Sequence, residues 1–208
     1  MTTILIGLAL VFLDLDMALA SGALIDVLPD VLGYIIVLFG LRRMGAVSYE
    51  FSKCVTLCIA AAFCAGVMLG TRLFPGASMV MVLMELAELI MQLCMLHFIT
   101  KGVRDAEMEY AADLWGKWLR WAWVLLSVTL LLNYVMEAIG VLQSMQAVAA
   151  LGDAVKDMTP EQIQELTQGN SIISKISGYA AMASDIAGIL YLGAGYASKV
   201  RMDEEAVF

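Results

Sequence analysis

The segment ASMVMVLMELAELIMQLCMLHFI (residues 77–99) decides how this chain folds. It is apolar except for Ser78, Glu85, Glu88, Gln92 and His97, and it contains no lysine or arginine. A helix needs roughly 20 mostly apolar residues to cross the hydrocarbon core of a bilayer. The segment is therefore predicted to be a membrane-spanning helix.

The composition of the whole chain agrees with this prediction. Of its 208 residues, 62% are hydrophobic and 15% are charged. Soluble domains are about 45–50% apolar and about 25% charged, and a soluble protein this apolar would have to expose much of the excess to water. The lipid bilayer is the expected partner. A net charge of −8 argues against nucleic-acid binding, which needs a basic surface.

We predict an all-α fold, a polytopic transmembrane helical bundle of about six spans in a single integral membrane domain (1–208). Asp14 and Pro29 interrupt the first two spans, which leaves two alternatives for them: complete crossings, or a hairpin of broken or re-entrant helices. An external amphipathic segment is expected over about 144–170. The expected spans are 3–20, 27–44, 52–71, 77–99, 115–142 and 172–198.

Basic residues orient these spans. They are concentrated between spans two and three, between spans four and five, and after span six, whereas the opposite loops carry few. Basic loops stay in the cytoplasm, so both termini are predicted to be cytoplasmic, in a bacterial plasma membrane. A surface helix over 103–118 is expected to lead into span five.

Four aspartates lie within or next to the first two predicted spans. Asp26 is expected to cap the N-terminus of the second helix, and Asp30 to lie in its first turn, where the helix dipole favours an acid. Asp16 is expected near the outer rim. Asp14 has no such role and is a candidate for the functional site.

The segment IDVLPDVLGYIIVLFGLRRM (residues 25–44) resembles a motif of small polytopic bacterial membrane proteins with an L-P-D-x-x-G-Y signature. The matching residues are Leu28, Pro29, Asp30, Gly33, Tyr34, Gly40, Leu41 and Arg42. That family has no assigned chemistry, so the resemblance implies a bacterial membrane location and no catalytic residue. Size and hydropathy are also similar to the S components of energy-coupling-factor vitamin transporters.

Carboxylates inside the predicted spans are the main candidates for a site. Glu85, Glu88 and Gln92 share one helix face, and a charge at the bilayer centre costs about 2.5–3.5 kcal/mol even on insertion scales. Asp185, Glu137 and Asp14 could reach the same cavity by depth alone. Alternatively, each acid is protonated or pairs with hydroxyls and backbone at a helix contact.

Cysteine and histidine offer a second, weaker set. Cys54, Cys58, Cys94 and His97 are expected at similar depth on spans three and four, and three cysteines with one histidine can bind zinc. The sequence has no C-x-x-C pattern, and buried cysteine commonly serves as a small apolar residue. Packing is therefore the favoured interpretation, and no cofactor is indicated.

These features support two functional hypotheses. The first is binding or transport of a small solute or cation at an intramembrane carboxylate site. The alternative is a non-catalytic accessory or scaffold subunit that contacts a partner protein, or a second copy of the chain, through its membrane helices. An enzyme ranks third, because no nucleophile motif or histidine-rich metal set is present.

Overall fold

The computed structural model describes residues 1–12, 16–18, 24–26, 30–71, 78–111, 113–151 and 171–204. Apart from turns and one short antiparallel ribbon, these residues are helical, which confirms the all-α prediction. The elements are α1 (Thr2–Phe12), β1 (Asp16–Ala18), β2 (Leu24–Asp26), α2 (Asp30–Met44), α3 (Tyr49–Thr71), α4 (Ser78–Glu109), α5 (Gly116–Leu151) and α6 (Ser171–Glu204).

Three helices in the described part of the chain are long and apolar enough to cross a membrane. They are Tyr49–Met68 in α3, Val82–Glu109 in α4 and Gly116–Gln143 in α5, matching the third, fourth and fifth predicted spans. The protein is therefore a helical membrane protein. Six crossings remain a prediction, because α1 and α2 have only 11 and 15 residues.

The first predicted span is wrong in its extent. Helix α1 ends at Phe12, and the chain then forms the β1–β2 ribbon, whose register pairs Asp16 with Asp26. Acidic residues interrupt the apolar run there, and the ribbon lets backbone groups bond to each other. Asp26 lies in β2, so it does not cap α2 as predicted. Asp30 lies in the first turn of α2, as predicted.

Helices α1 and α2 pack with their backbones in close approach at glycines. A Cβ atom on Gly7 would lie 2.6 Å from both the Gly33 carbonyl oxygen and the Val37 backbone nitrogen. A Cβ atom on Gly40 would lie 2.8 Å from the Ile4 backbone nitrogen. Small residues allow such contacts between membrane helices, where van der Waals packing drives association.

Helices α2, α3 and α4 pack in sequence, with an ionic cluster at one end. Both Glu50 oxygens accept hydrogen bonds from Lys53 Nζ, at 2.9 and 3.0 Å, and Glu50 Oε1 accepts one from Lys101 Nζ at 2.9 Å. This end, where the last turn of α2 carries Arg42 and Arg43, is termed the basic end. The opposite end, where α2 begins beside the ribbon, is termed the ribbon end.

The expected 103–118 surface helix is also wrong. Residues up to Glu109 continue α4, and a turn connects α4 to α5, with φ of 51° at Ala111 and 60° at Trp115. The Glu107 side chain explains where α5 starts. Its Oε1 atom accepts hydrogen bonds from the backbone N–H groups of Leu114 (3.0 Å) and Gly116 (3.1 Å).

Replacing Glu107 with alanine is expected to lower the free energy of unfolding by about 1–2 kcal/mol, because it removes a cap that satisfies two N–H groups and complements the helix dipole. Unfolding in mixed micelles with increasing SDS measures the loss. Glu109→Ala, at an exposed neighbouring acid, is the control. Equal stability of the two variants would contradict the capping role.

Helix α6 is anchored to α4 and α1 by its C-terminal half. The Tyr191 hydroxyl is buried, lies 3.2 Å from Thr100 Oγ1 and donates to the Leu96 carbonyl at 3.3 Å. A Cβ atom on Gly195 would meet Leu5 Cδ2 at 2.6 Å. At the end of α6, a hydrogen bond to the Asp203 carboxylate raises the pKa of the Lys199 ammonium group.

The chain divides into two compact units. The first comprises Met1–Ser127 and Asp185–Phe208, and the second comprises Val128–Ser184. The second unit contains the later part of α5 and the earlier part of α6. The expected external segment 144–170 falls here: α5 continues to Leu151, and the rest of that segment lies outside the described residues.

Candidate functional site

The polar face of α4 turns into the first unit. Glu88 and Gln92 lie on consecutive turns of this helix, and their residues are only 8% and 9% exposed. Glu85, one turn earlier, is half-buried. The sequence predicted that these three residues share a face. The structure shows in addition that the face is buried most deeply at Glu88 and Gln92.

Helix α2 presents a tyrosine to this face. Tyr34 is 1% exposed, and Glu88 is its strongest electrostatic neighbour, followed by Asp30. The Tyr34 hydroxyl is buried with Glu88 within reach of it, although their contact does not meet standard hydrogen-bond geometry. A phenol and a carboxyl group are thus enclosed together between helices.

Helix α3 contributes two thiols to the same neighbourhood. Cys58 Sγ donates to the Tyr34 carbonyl oxygen at 3.0 Å, on the packed face of α2. Cys64 is buried and has Glu88 as an electrostatic neighbour. We call Tyr34, Cys64, Glu88 and Gln92 the Glu88 cluster.

Within the described residues, the basic side chains of α2, α3 and α4 lie toward the basic end. Between Ser78 and Thr100, α4 has no lysine or arginine, and the same holds for α2 before Arg42 and for α3 after Lys53. Lys101 lies about 20 Å along α4 from Glu88 at 1.5 Å per residue, and it already binds Glu50.

The other carboxylates predicted for the site have different environments. Asp185 is exposed and does not share the buried surroundings of Glu88. Glu137 belongs to the second unit and accepts a hydrogen bond from Asn133 Nδ2 at 3.0 Å. Asp14 lies outside the described residues. That Asp185 reaches the same acidic cavity as Glu85 and Glu88 stays a prediction.

The cysteine and histidine set does not gather into a metal site. Cys54 and Cys58 are buried with their thiols against backbone carbonyls, whereas Cys94 and His97 are exposed. The His97 ring packs against Trp123 at an interplanar angle of 58°, with 4.9 Å between ring centroids. Within the described residues, no three His, Cys, Asp or Glu side chains are close enough together to hold a metal ion.

Sequence reasoning did not identify Tyr34 as part of a site. The signal was present, because Tyr34 lies four residues after Asp30 in a helix that is otherwise apolar before its basic end. Residues four apart share a helix face. Which neighbour that face meets depends on the packing of α2 against α3 and α4, and the sequence pattern does not contain this information.

Comparison of the chain with protein-family models, with curated proteins and with solved structures finds no match. The resemblance of residues 25–44 to the L-P-D-x-x-G-Y proteins therefore remains a sequence-level prediction.

Proposed function

We propose that this integral membrane protein binds a small cationic solute at the Glu88 cluster and transports it across the bilayer. The observation that carries the proposal is the burial of Glu88 against Tyr34 in a helix that is apolar enough to span the membrane. Glu88 is also at the midpoint of the predicted span 77–99. Ionisable residues at such depths commonly mark solute or proton pathways.

The chemistry of a buried carboxylate suits exchange between a proton and a cation. Burying an ionised carboxylate is costly unless hydrogen bonds or a counter-charge compensate it. A bound proton or a bound cation can each provide that compensation, so binding of one displaces the other. The Gln92 amide oxygen can serve as a second ligand, and an aromatic ring such as that of Tyr34 can attract an organic cation.

The test is uptake by proteoliposomes that contain a pH-sensitive dye. A panel of alkali, divalent and organic ammonium cations is applied to the wild type and to a double variant, Glu85→Gln with Glu88→Gln. The expected result is a proton flux driven by at least one cation in the wild type and background flux in the double variant. The control combines Glu109→Gln with Glu204→Gln, which removes two exposed carboxylates.

Two outcomes would overturn the proposal. One is the absence of flux with every cation in the panel. The other is a flux that survives in the Glu85/Glu88 double variant at the level of the control. Circular dichroism and size-exclusion profiles establish that each variant is folded before its flux is interpreted.

A second candidate function is an accessory subunit, and the surface of α5 favours it. Of the most apolar 18-residue stretch of α5, only 6% of the residues are buried by other parts of the chain. Lipid alone can cover such a helix, as can a partner protein. Purification in mild detergent separates the two cases. Co-purification of a partner protein in stoichiometric amount would support the accessory-subunit hypothesis, whereas a monodisperse chain without a partner would indicate that lipid covers α5.

A further inference from the structure

We propose that an anionic phospholipid binds at the start of α5, where Arg104, Lys117 and Arg120 contact its phosphate and the outer side of the helix contacts its acyl chains. The inference goes beyond the proposed function, because it involves neither the Glu88 cluster nor the transported cation. We call these three basic residues, together with Trp118 and Trp121, the lipid site.

Helix α5 has a buried side and an outer side in its first turns. Leu119 and Leu126 are seven residues apart, so they lie on the same side of the helix, and both are 0% exposed. Lys117 and Trp121 each lie two residues from Leu119, about 200° around the helix, and both are exposed. Arg120 is exposed beside them. The outer side of α5 therefore carries two cations and an indole ring.

A third basic side chain reaches the start of α5 from α4. A Cβ atom on Gly116 would lie 2.7 Å from Arg104 Cγ, so the aliphatic stem of Arg104 packs against the first residue of α5. Gly116 and Arg120 are four residues apart and share a side of the helix. The exposed Arg104 therefore lies on the side of α5 that carries Arg120. Two helices thus supply three cations to one region of the surface.

These three cations are available to a ligand. Within the described part of the chain, none of them forms a salt bridge, whereas Lys53 and Lys101 share Glu50. Two acids adjoin the lipid site, and backbone groups occupy both. Glu107 caps α5, and Asp113 Oδ1 accepts a hydrogen bond at 3.3 Å from the N–H group two residues later. The lipid site therefore keeps a surplus of positive charge that fits an anion.

The surface next to the cations indicates a phospholipid as the anion. Trp118 and Trp121 alternate with the cations along α5, and each is 64% exposed. Indole rings favour the headgroup level of a bilayer. One turn beyond Trp121, Val124 and Leu125 are 37% and 46% exposed. An anionic headgroup followed by acyl chains matches this order of cations, indoles and apolar side chains, whereas a free phosphate would use only the cations.

Tryptophan fluorescence tests the proposal, because all four tryptophans of the chain lie within residues 115–123. The protein is reconstituted in vesicles of phosphatidylcholine and phosphatidylglycerol in which only one of the two lipids is brominated, and quenching gives the relative affinity for each. The wild type is expected to prefer the anionic lipid. Each basic residue near an anionic membrane surface contributes about fivefold to binding. Lys117→Gln with Arg120→Gln is therefore expected to lower the preference by about tenfold or more.

Arg42→Gln with Arg43→Gln is the matched control, because it removes two exposed basic side chains from the same end of the protein. This control is expected to keep the preference of the wild type, since its charges lie on α2. Arg104→Gln alone is expected to lower the preference by about fivefold, which tests the site from α4. Equal losses in the two double variants would show a response to overall charge and would overturn the lipid site. Circular dichroism establishes that each variant is folded.

Three further results would overturn the proposal. The first is equal quenching of the wild type by the two brominated lipids. The second is displacement of brominated phosphatidylglycerol by millimolar inorganic phosphate at constant ionic strength, which would show an anion site without a role for the acyl chains. The third is a partner protein that co-purifies in mild detergent and shields the tryptophans from both brominated lipids. Quenching that phosphate leaves unchanged is the expected result.

Discussion

Glu88→Gln is expected to weaken binding of the transported cation by about 100-fold, which corresponds to about 3 kcal/mol. A charge-assisted contact is worth about 1.5–3 kcal/mol in proteins, and the low dielectric around Glu88 places the loss at the upper end. Glutamine has nearly the same shape as glutamate, so the packing of α4 is retained. Isothermal titration calorimetry of the purified protein measures the change. The cation used is the one that drives proton flux in the proteoliposome experiment.

Glu85→Gln serves as the comparison for this prediction. Glu85 lies one turn earlier on the same face, but its side chain is half-buried, whereas Glu88 is 8% exposed. Water screens a half-buried carboxylate, so we expect a loss of about tenfold or less, near the range of a partly exposed ion pair. Equal losses in the two variants would mean that both acids contact the cation and that the site is centred between them.

Gly7→Ala is expected to lower the free energy of unfolding by about 2–3 kcal/mol, the range for overpacking a close contact. The new methyl group would lie 2.6 Å from backbone atoms of Gly33 and Val37. Backbone cannot rotate away as a side chain can, so α1 and α2 must separate. Unfolding in mixed detergent micelles measures the loss.

Gly193→Ala is the matched control for Gly7→Ala, because a Cβ atom at Gly193 meets nothing within 4 Å. Alanine is a better helix former than glycine by about 1 kcal/mol, so this variant is expected to be as stable as the wild type or more so. A stability of Gly7→Ala equal to that of Gly193→Ala would contradict the close packing of α1 against α2. Because α2 carries Tyr34, the Gly7 variant is also expected to weaken cation binding.

The sequence predicted the helices that cross the membrane but not every boundary. Long apolar runs identified α3, α4 and α5, since length and hydropathy are local properties. The predicted extent of the first span was wrong, because α1 ends at Phe12 and Asp16–Ala18 pairs with Leu24–Asp26 in a ribbon. The sequence failed again at 103–118, because the end of α4 and the start of α5 are fixed by Glu107, a cap from a different helix.

For the site, the sequence by itself determined which α4 residues share a face and that two of them are acids in a span without basic residues. Tertiary structure decided the rest. Packing of α2 and α3 onto α4 buried Glu88 beside Tyr34 and turned the Cys54 and Cys58 thiols toward backbone carbonyls, whereas Asp185 is exposed. The physical reason is that helical periodicity specifies a face, whereas the partner of that face depends on side-chain packing between residues that are distant in the chain.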